Sequence, residues 1–461
     1  MSRSLVRYFL ALLLGTGAVL ALLALGDRWY PTAPSMLAAP AAAAHRSHPL
    51  ALMLVQIVVV LAAARLAGRV FRAVGQPAVI GEIAAGLLLG PSLLGWLAPA
   101  TFAALFPPSS LPPLQWLSQL GVLLFMFTVG TEVDLGELRH KARAAVAISH
   151  TSIVLPFVLG VALAVGVFGT LAPAGVSFMA FALFLGIAMS ITAFPVLARI
   201  LQERRLNDTP VGRIAIACAA IDDVTAWCLL AFVVALAQAT GLGQAALTLA
   251  LTAVFIAAVI LLLRPLLARW AERSRHAESE ALSLPLALMV LCSCAALTEA
   301  IGVHALFGAF LAGTAMPALP AFRQALRDRL QGFAAALLLP LFFALTGLRT
   351  QIDLIDGVGD WLLCAAIIGV AVAGKLGGGY LAARLTGSTA REALMIGALM
   401  NTRGLMELVV LNIGYDLGIL SPKAFSMLVL MALVTTCMTG PLLGLAQRHR
   451  PRFSPKDAVT D

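Results

Sequence analysis

Residues 213–238 read RIAIACAAIDDVTAWCLLAFVVALAQ, an apolar stretch with two adjacent carboxylates, Asp222 and Asp223, near its middle. A helix rises about 1.5 Å per residue, so roughly 20 apolar residues cross the ~30 Å hydrocarbon core of a bilayer. This stretch is long enough to do so, and the two aspartates lie about ten residues, or roughly 15 Å, past its start. It therefore predicts a transmembrane helix with an acidic pair at the membrane midplane.

The same apolar character extends along the whole chain. Of its 461 residues, 61% are hydrophobic and 11% are charged, and the mean hydropathy is +0.97. A soluble protein of this length could not keep so much apolar surface away from water. We therefore predict an all-α polytopic membrane protein. Its 13 transmembrane helices are predicted at 50–68, 78–97, 114–131, 144–168, 176–200, 213–238, 246–263, 282–300, 303–317, 331–348, 360–384, 393–412 and 424–446.

The two ends of the chain differ from this central region. Arg3 and Arg7 precede an apolar run at 8–26 and an Ala-rich stretch follows it, so residues 1–47 are either a cleaved signal or an extra transmembrane helix. Residues 48–446 form the predicted membrane domain. Residues 447–461 are predicted to be a short cytoplasmic tail.

The basic residues predict the orientation in the membrane. Most of the 31 lysines and arginines fall on alternate connections between the predicted helices. Basic connections stay in the cytoplasm, so these connections and the C-terminus are predicted to be cytoplasmic. The membrane is predicted to be the cell (inner) membrane. The net charge of +9 is scattered between apolar runs, so nucleic-acid binding is not predicted. The six cysteines form no CxxC pair, and neither a cofactor nor a resident metal is predicted.

An internal repeat is visible in two pairs of segments. LFMFTVGTEVDL (124–135) resembles LFFALTGLRTQIDL (341–354), and AAGLLLGP (84–91) resembles LAGTAMP (311–317). Both pairs are seven predicted helices apart, and an odd offset inserts the second copy upside down. Inverted-topology repeats of this kind are typical of secondary transporters.

Charged groups at membrane depth indicate where the chemistry takes place, because each costs at least ~2.5–3.5 kcal/mol on insertion scales. Adjacent residues of a helix point about 100° apart, so Asp222 and Asp223 face different neighbours. Lys375, in AVAGKLGGGY, lies near the midplane of the predicted helix at 360–384. We expect one aspartate to pair with this lysine and the other to line a cavity.

Two predicted helices contain breaks at corresponding places in the repeat. SITAFP (190–195) includes Pro195, which we expect to displace Phe194 from helical geometry, while Ser190 and Thr192 offer hydroxyls to freed backbone groups or to a cation. MNTRGLME (400–407) includes Asn401, Thr402 and the pair Arg403 and Glu407, four residues apart, which we interpret as a buried structural ion pair. Unwound backbone at the midplane exposes carbonyls that can coordinate a small cation.

At these residues the sequence resembles the monovalent cation:proton antiporter-2 family, a branch of the sodium/hydrogen exchangers. The similar stretches, in the family's order, are QPAVIGEIAAGLLLGPSLLG (76–95), SITAFPVLARIL (190–201), AAIDDVTAW (219–227), IGVHALFGAFLAG (301–313) and GALMNTRGLMELVVLNIG (397–414). The resemblance implies an inverted-repeat antiporter with two discontinuous crossing helices, a core domain and a dimerisation domain that forms a homodimer. It implies that Asp223 binds cation or proton and that Asp222 accompanies a lysine such as Lys375.

We therefore predict a transporter, not an enzyme, that exchanges Na⁺ or K⁺ for protons by alternating access. The predicted ion-binding residues are Asp223, Asp222, Thr192 and Asn401. A gated cation channel that uses the same acidic pair is the alternative hypothesis. An intramembrane aspartyl protease is not favoured, because its two aspartates would face each other from separate helices. The sequence leaves the choice between Na⁺ and K⁺ open.

Overall fold

The computed structural model describes residues 49–132, 142–206, 209–238, 242–273, 279–317 and 319–448, and within these ranges its regular structure is entirely helical. The predictions for residues 1–47, and for the tail beyond Arg448, fall outside the described residues. In chain order the helices are α1 (Pro49–Ala73), α2 (Ala78–Leu89), α3 (Pro99–Leu105), α4 (Leu111–Glu132), α5 (Ala142–Leu171), α6 (Phe178–Ser190), α7 (Phe194–Glu203), α8 (Pro210–Gln238), α9 (Leu242–Ala258), α10 (Arg264–Arg273), α11 (Ser279–Ile301), α12 (Ala305–Thr314), α13 (Pro320–Phe333), α14 (Leu339–Arg349), α15 (Gly357–Val372), α16 (Gly378–Leu385), α17 (Ala390–Met400), α18 (Leu405–Asp416) and α19 (Pro422–Arg448).

Three of the junctions between these helices are π turns rather than loops, so the helices on either side form one continuous helical segment. They lie at Val259–Leu263, Ala334–Leu338 and Ala373–Gly377, and a fourth π turn follows α2 at Pro91–Gly95. The turn at Ala373–Gly377 contains Lys375. Such single π turns inside helices are frequent at functional sites.

The prediction of an all-α polytopic membrane protein is confirmed, but the count of 13 full spans is not. Ten helical segments among the described residues are long and apolar enough to cross a bilayer, and the pair α17 and α18, bent by 40°, makes up to 11. The other two predicted spans correspond to α6 and α12, which are shorter apolar helices of 13 and 10 residues. α6 is short because the chain breaks after Ser190, and α12 is bounded by the His304 N-cap and Pro317.

Close contacts at glycines follow the predicted inverted repeat. A Cβ added to Gly86 of α2 would lie 1.9 Å from the carbonyl oxygen of Ala344 in α14. A Cβ added to Gly313 of α12 would lie 2.1 Å from the carbonyl oxygen of Phe127 in α4. The repeat pairs α2 with α12 and α4 with α14, so these two contacts are counterparts of each other.

A second pair of contacts has the same relationship. Gly160 of α5 meets Gly186 of α6, where an added Cβ would lie 2.9 Å from the partner Cα. Gly379 of α16 meets Gly397 of α17, where the same distance would be 3.1 Å. Small residues let membrane helices approach closely. The repeat detected in the sequence therefore marks positions where the two halves pack in the same way.

The two predicted breaks are present and meet each other. α6 ends at Ser190 and α7 begins at Phe194, while α17 ends at Met400 and α18 begins at Leu405. The Ala193 N–H donates a hydrogen bond of 3.0 Å to the carbonyl oxygen of Thr402, which joins one break to the other.

The expected role of Pro195 in the first break is wrong. The extended residue is Ile191 (φ −75°, ψ 139°), and Phe194 already belongs to α7. Pro195 therefore lies in the first turn of α7, where a helix lacks hydrogen-bond acceptors for its N–H groups and a missing N–H costs nothing. The proline fixes the start of α7 rather than the location of the break.

Candidate ion site

Five charged side chains are buried among the described residues, and all five are residues that the sequence singled out. They are Asp222, Asp223, Lys375, Arg403 and Glu407, each 0–2% exposed. α8 carries the two aspartates, the π turn between α15 and α16 carries Lys375, and the break and first turn of α18 carry the last two. The crossing of the two broken helices therefore lies within a group of buried charges.

Asp222 is held from several sides. Its Oδ2 lies 3.1 Å from Lys375 Nζ and accepts a hydrogen bond of 2.7 Å from the Thr192 hydroxyl. The hydroxyls of Ser149 and Ser152, both on α5, donate to Oδ1 at 2.5 Å and to Oδ2 at 3.3 Å. A buried carboxylate is stable when it is both paired and hydrogen-bonded, and Asp222 is both.

The π turn that carries Lys375 packs closely against α5, the helix that also supplies Ser149 and Ser152. A Cβ on the preceding residue, Gly374, would lie 2.8 Å from the Cα of Pro156 in α5. The Lys375 ammonium also donates a hydrogen bond of 2.6 Å to the Thr192 hydroxyl, in the first break. The lysine therefore connects α8, the first break and the helix pair α15–α16.

Asp223, the next residue, has a different environment. Neither of its carboxylate oxygens has a hydrogen-bond partner of normal geometry within the described part of the chain. Asp223 interacts electrostatically with the charges of Asp222 and Lys375 and with the Phe194 N–H at the start of α7. Because the residue is 2% exposed, water outside the protein does not compensate for the missing partners.

Asn401 and Thr402, in the second break, point to α19. Asn401 Nδ2 donates a long hydrogen bond of 3.5 Å to the Thr435 carbonyl, and the Thr402 and Thr439 hydroxyls lie 3.2 Å apart. The amide oxygen of Asn401 is buried and has no partner among the residues that the structure describes. The second break therefore offers one free oxygen ligand.

Arg403 caps the end of α6. Its Nη1 donates a hydrogen bond of 2.6 Å to the Ala188 carbonyl, and its Nη2 donates one of 2.7 Å to the Met189 carbonyl. Nη1 also forms an ion pair with Glu407. The last carbonyls of a helix lack partners and carry the negative end of its dipole, so a guanidinium suits them. Glu407, in the first turn of α18, has the sign that suits a helix start.

Ser190 serves the backbone in this structure. Its hydroxyl lies 2.7 Å from the Gly186 carbonyl and 3.1 Å from the Ile153 carbonyl in α5, so it bonds to helix carbonyls on both sides.

Sequence reasoning missed two groups of residues around the site. Ser149 and Ser152 support Asp222, and Thr436 exchanges hydrogen bonds with the backbone N–H and carbonyl of Arg403, at 3.2 and 2.8 Å. The signal was present as hydroxyl residues three or four apart in apolar runs, at 149 and 152 and at 435, 436 and 439. Such hydroxyls usually bond within their own helix, so spacing alone does not separate the two uses.

Several known proteins are similar to this chain in sequence. The family described as "Sodium/hydrogen exchanger, transmembrane" matches residues 57–446. The Na(+)/H(+) antiporter NhaS4 of Synechocystis sp. is 42% identical over 86% of this chain and 97% of its own length. The K(+)/H(+) antiporter 1 of Saccharomyces cerevisiae is 36% identical over 87% of this chain, which spans about half (47%) of the yeast protein.

A solved structure has the same fold at low sequence identity. The sodium proton antiporter MjNhaP1 of Methanocaldococcus jannaschii superposes with a TM-score of 0.61 at 13% identity, over 86% of this chain and 98% of that one. The match of the family to most of the chain, together with the 42% identity to a relative covered almost completely, identifies this chain as a member of the sodium/hydrogen exchanger family.

Proposed function

We propose that this chain is a secondary antiporter that exchanges a monovalent cation, Na⁺ or K⁺, for protons at Asp223. Similar proteins are named as Na(+)/H(+) and K(+)/H(+) antiporters, which supports exchange and includes both cations. The antiporter family also favours exchange over the gated channel of the alternative hypothesis.

The balance of buried charge is the observation that carries this proposal. When all are ionised, Asp222, Asp223 and Glu407 carry three negative charges, and Lys375 and Arg403 carry two positive ones. Arg403 is paired with Glu407, and Lys375 is paired with Asp222. One negative charge, that of Asp223, is left over, and either one proton or one monovalent cation neutralises it. Because a buried uncompensated charge is costly, the two ions compete for one place.

The free oxygens at the two neighbouring sites are of the kind that a small hard cation binds. Asp223 offers two free carboxylate oxygens, and Asn401 offers a free amide oxygen. Carbonyl and carboxylate oxygens are the ligands that such cations prefer. The Thr192 hydroxyl contacts Asp222 and Lys375 in this structure, so we assign it to the support of that pair and to the cation only after rearrangement.

Transport then follows from alternating access. The cation binds to deprotonated Asp223 from one side, the part of the protein that holds the two broken helices moves, and a proton displaces the cation on the other side. Residues 48–446 are the transporting domain in this proposal. The basic connections support a cytoplasmic C-terminus. The homodimer and the inner membrane are part of the proposal on the strength of the family resemblance.

Purified protein in liposomes that hold a pH-sensitive dye tests the proposal. Addition of Na⁺ or K⁺ outside should drive proton movement in one fixed direction, and Asp223→Asn should abolish it. Cation flux without coupled proton movement would support the channel, and proton movement in the Asp223→Asn variant would contradict the role of Asp223.

A further inference from the structure

Trp227 has a buried polar group that nothing so far explains. The residue is 2% exposed, and its indole Nε1 has no hydrogen-bond partner among the described residues. A buried tryptophan N–H usually finds an acceptor, because burial of an unpaired donor costs about 1–3 kcal/mol. An indole N–H can donate but not accept, so the missing partner must be an acceptor.

Unpaired acceptors lie one helical turn away. Asp223 precedes Trp227 by four residues in α8, and residues four apart lie on the same helix face with Cβ atoms about 5–6 Å apart. Long side chains on a helix lean towards its N-terminus, which directs the indole over the turn that carries Asp223. An unpaired donor and two unpaired acceptors therefore occupy one buried face of α8.

We propose that Trp227 is a positioning residue that holds one water molecule between its N–H and the Asp223 carboxylate. A buried water typically makes about two to four hydrogen bonds, and Trp227 with Asp223 supplies two of them. This inference rests on the proposed function, because it assigns the water a task at the same carboxylate.

The chemistry of water makes one molecule compatible with every state of the site. One lone pair accepts the Trp227 N–H in all of them. When Asp223 is ionised, the water donates an O–H to the carboxylate. When Asp223 is protonated, its O–H donates to the second lone pair of the water. When a cation is bound, that second lone pair becomes a ligand. Trp227 thus keeps one water of the cation's hydration shell in place and orients it.

Loss of the N–H should be visible in two measurements. The Trp227→Phe variant keeps an aromatic ring but no donor, so the water is no longer oriented to stabilise either the carboxylate or the cation. We expect the cation KM of exchange to rise about 3- to 10-fold, as for one lost hydrogen bond of ordinary strength. The pH of half-maximal exchange should shift towards alkaline values, because a carboxylate that loses a donated hydrogen bond is protonated more readily. Asp222 and Lys375, whose charges also act on Asp223, are unchanged in this variant.

The control is Trp361→Phe, which makes the same change at a residue that is 49% exposed in α15. Its KM and pH profile should equal those of the wild type. Trp227→Tyr retains an aromatic donor and should recover part of both shifts, which a purely space-filling role for the ring would not produce. This variant also serves if Trp227→Phe does not fold.

Three results would overturn the inference. If the wild type exchanges and Trp227→Phe has the same KM and pH profile, the inference about Trp227 is wrong and the proposed function stands. Equal losses in the Trp227→Phe and Trp227→Tyr variants would have the same meaning. A wild-type chain that exchanges no cation for protons would overturn the proposed function and this inference together.

Discussion

Asp222 and Asp223 are consecutive residues of α8 with opposite surroundings. The Asp222 carboxylate accepts hydrogen bonds from the hydroxyls of Ser149, Ser152 and Thr192 and forms an ion pair with Lys375. The Asp223 carboxylate has no hydrogen-bond partner of normal geometry among the described residues. The turn of about 100° between neighbouring helix positions separates them. One carboxylate is thereby paired within the structure, and the other is the one to which the proposed function assigns the ion.

Asp223→Asn should abolish exchange and leave the protein at least as stable as the wild type. The substitution removes a buried charge that lacks a partner, so folding loses no ion pair. Exchange in liposomes and thermal unfolding in detergent measure the two effects. Asp353→Asn, the same change at an exposed residue, is the control and should keep full activity. Exchange by Asp223→Asn would refute the assignment of the ion site.

Lys375→Met should destabilise the protein by roughly 3–5 kcal/mol, because it leaves the Asp222 charge buried and unpaired. Combination with Asp222→Asn should restore more than half of the loss. Thermal unfolding of the single and double variants measures this coupling.

The matched control for the Lys375 and Asp222 variants is the partly exposed ion pair of Lys423 and Asp360, whose charged atoms lie 2.5 Å apart. Lys423→Met should lower the free energy of unfolding by at most about 1 kcal/mol. If Lys375→Met cost no more than this control, the pair of Lys375 with Asp222 would not be the structural pair described above.

Arg403→Lys should destabilise the protein although the charge is kept. The guanidinium binds the carbonyls of Ala188 and Met189 with separate nitrogens and also pairs with Glu407, and a single ammonium cannot reproduce that geometry. A loss of about 2–4 kcal/mol is expected from the unpaired carbonyls. Arg384→Lys, at an exposed residue of α16, should be neutral in the same unfolding assay. Equal stability of the two variants would exclude a capping role.

Gly86→Ala and Gly313→Ala should reduce the yield and thermal stability of folded protein to a similar extent. Each new methyl group would lie about 2 Å from a backbone carbonyl of the facing helix, 1.9 Å in one case and 2.1 Å in the other, so backbone must move. Overpacking of this kind costs at least ~1–3 kcal/mol. Gly369→Ala, with no atom within 4 Å of the new Cβ, is the control. Tolerance of one substitution but not its counterpart would show that the repeat does not govern packing.

The sequence predicted the class of fold well, because apolar length and the alternation of basic connections are set by the bilayer rather than by tertiary contacts. It located both breaks, since Pro195, Asn401 and Gly404 are poor helix formers. It placed the break at Phe194, whereas the structure places it at Ile191–Ala193. The difference arises because proline is tolerated in the first turn of a helix, and local sequence does not say which side of a proline is helical.

The site was predictable only as far as charge made it conspicuous. Asp222, Asp223 and Lys375 stand out in apolar runs, because each charge at that depth requires a reason. Ser149 and Ser152 did not stand out, since an isolated hydroxyl in a membrane helix bonds to its own backbone at little cost. Trp227 was hidden for a similar reason: an aromatic residue in an apolar run looks like ordinary packing until its N–H is seen to lack a partner.

The central claim is that a cation and a proton compete for Asp223, and proton release on cation binding tests it most directly. Purified protein in weakly buffered detergent with a pH indicator would be titrated with NaCl and with KCl, alongside the Asp223→Asn variant. The account predicts that the transported cation releases protons from the wild type, up to one per cation bound at pH values where Asp223 is protonated, and none from the variant. Cation binding without proton release over the whole pH range of activity, or the same release from Asp223→Asn, would contradict it.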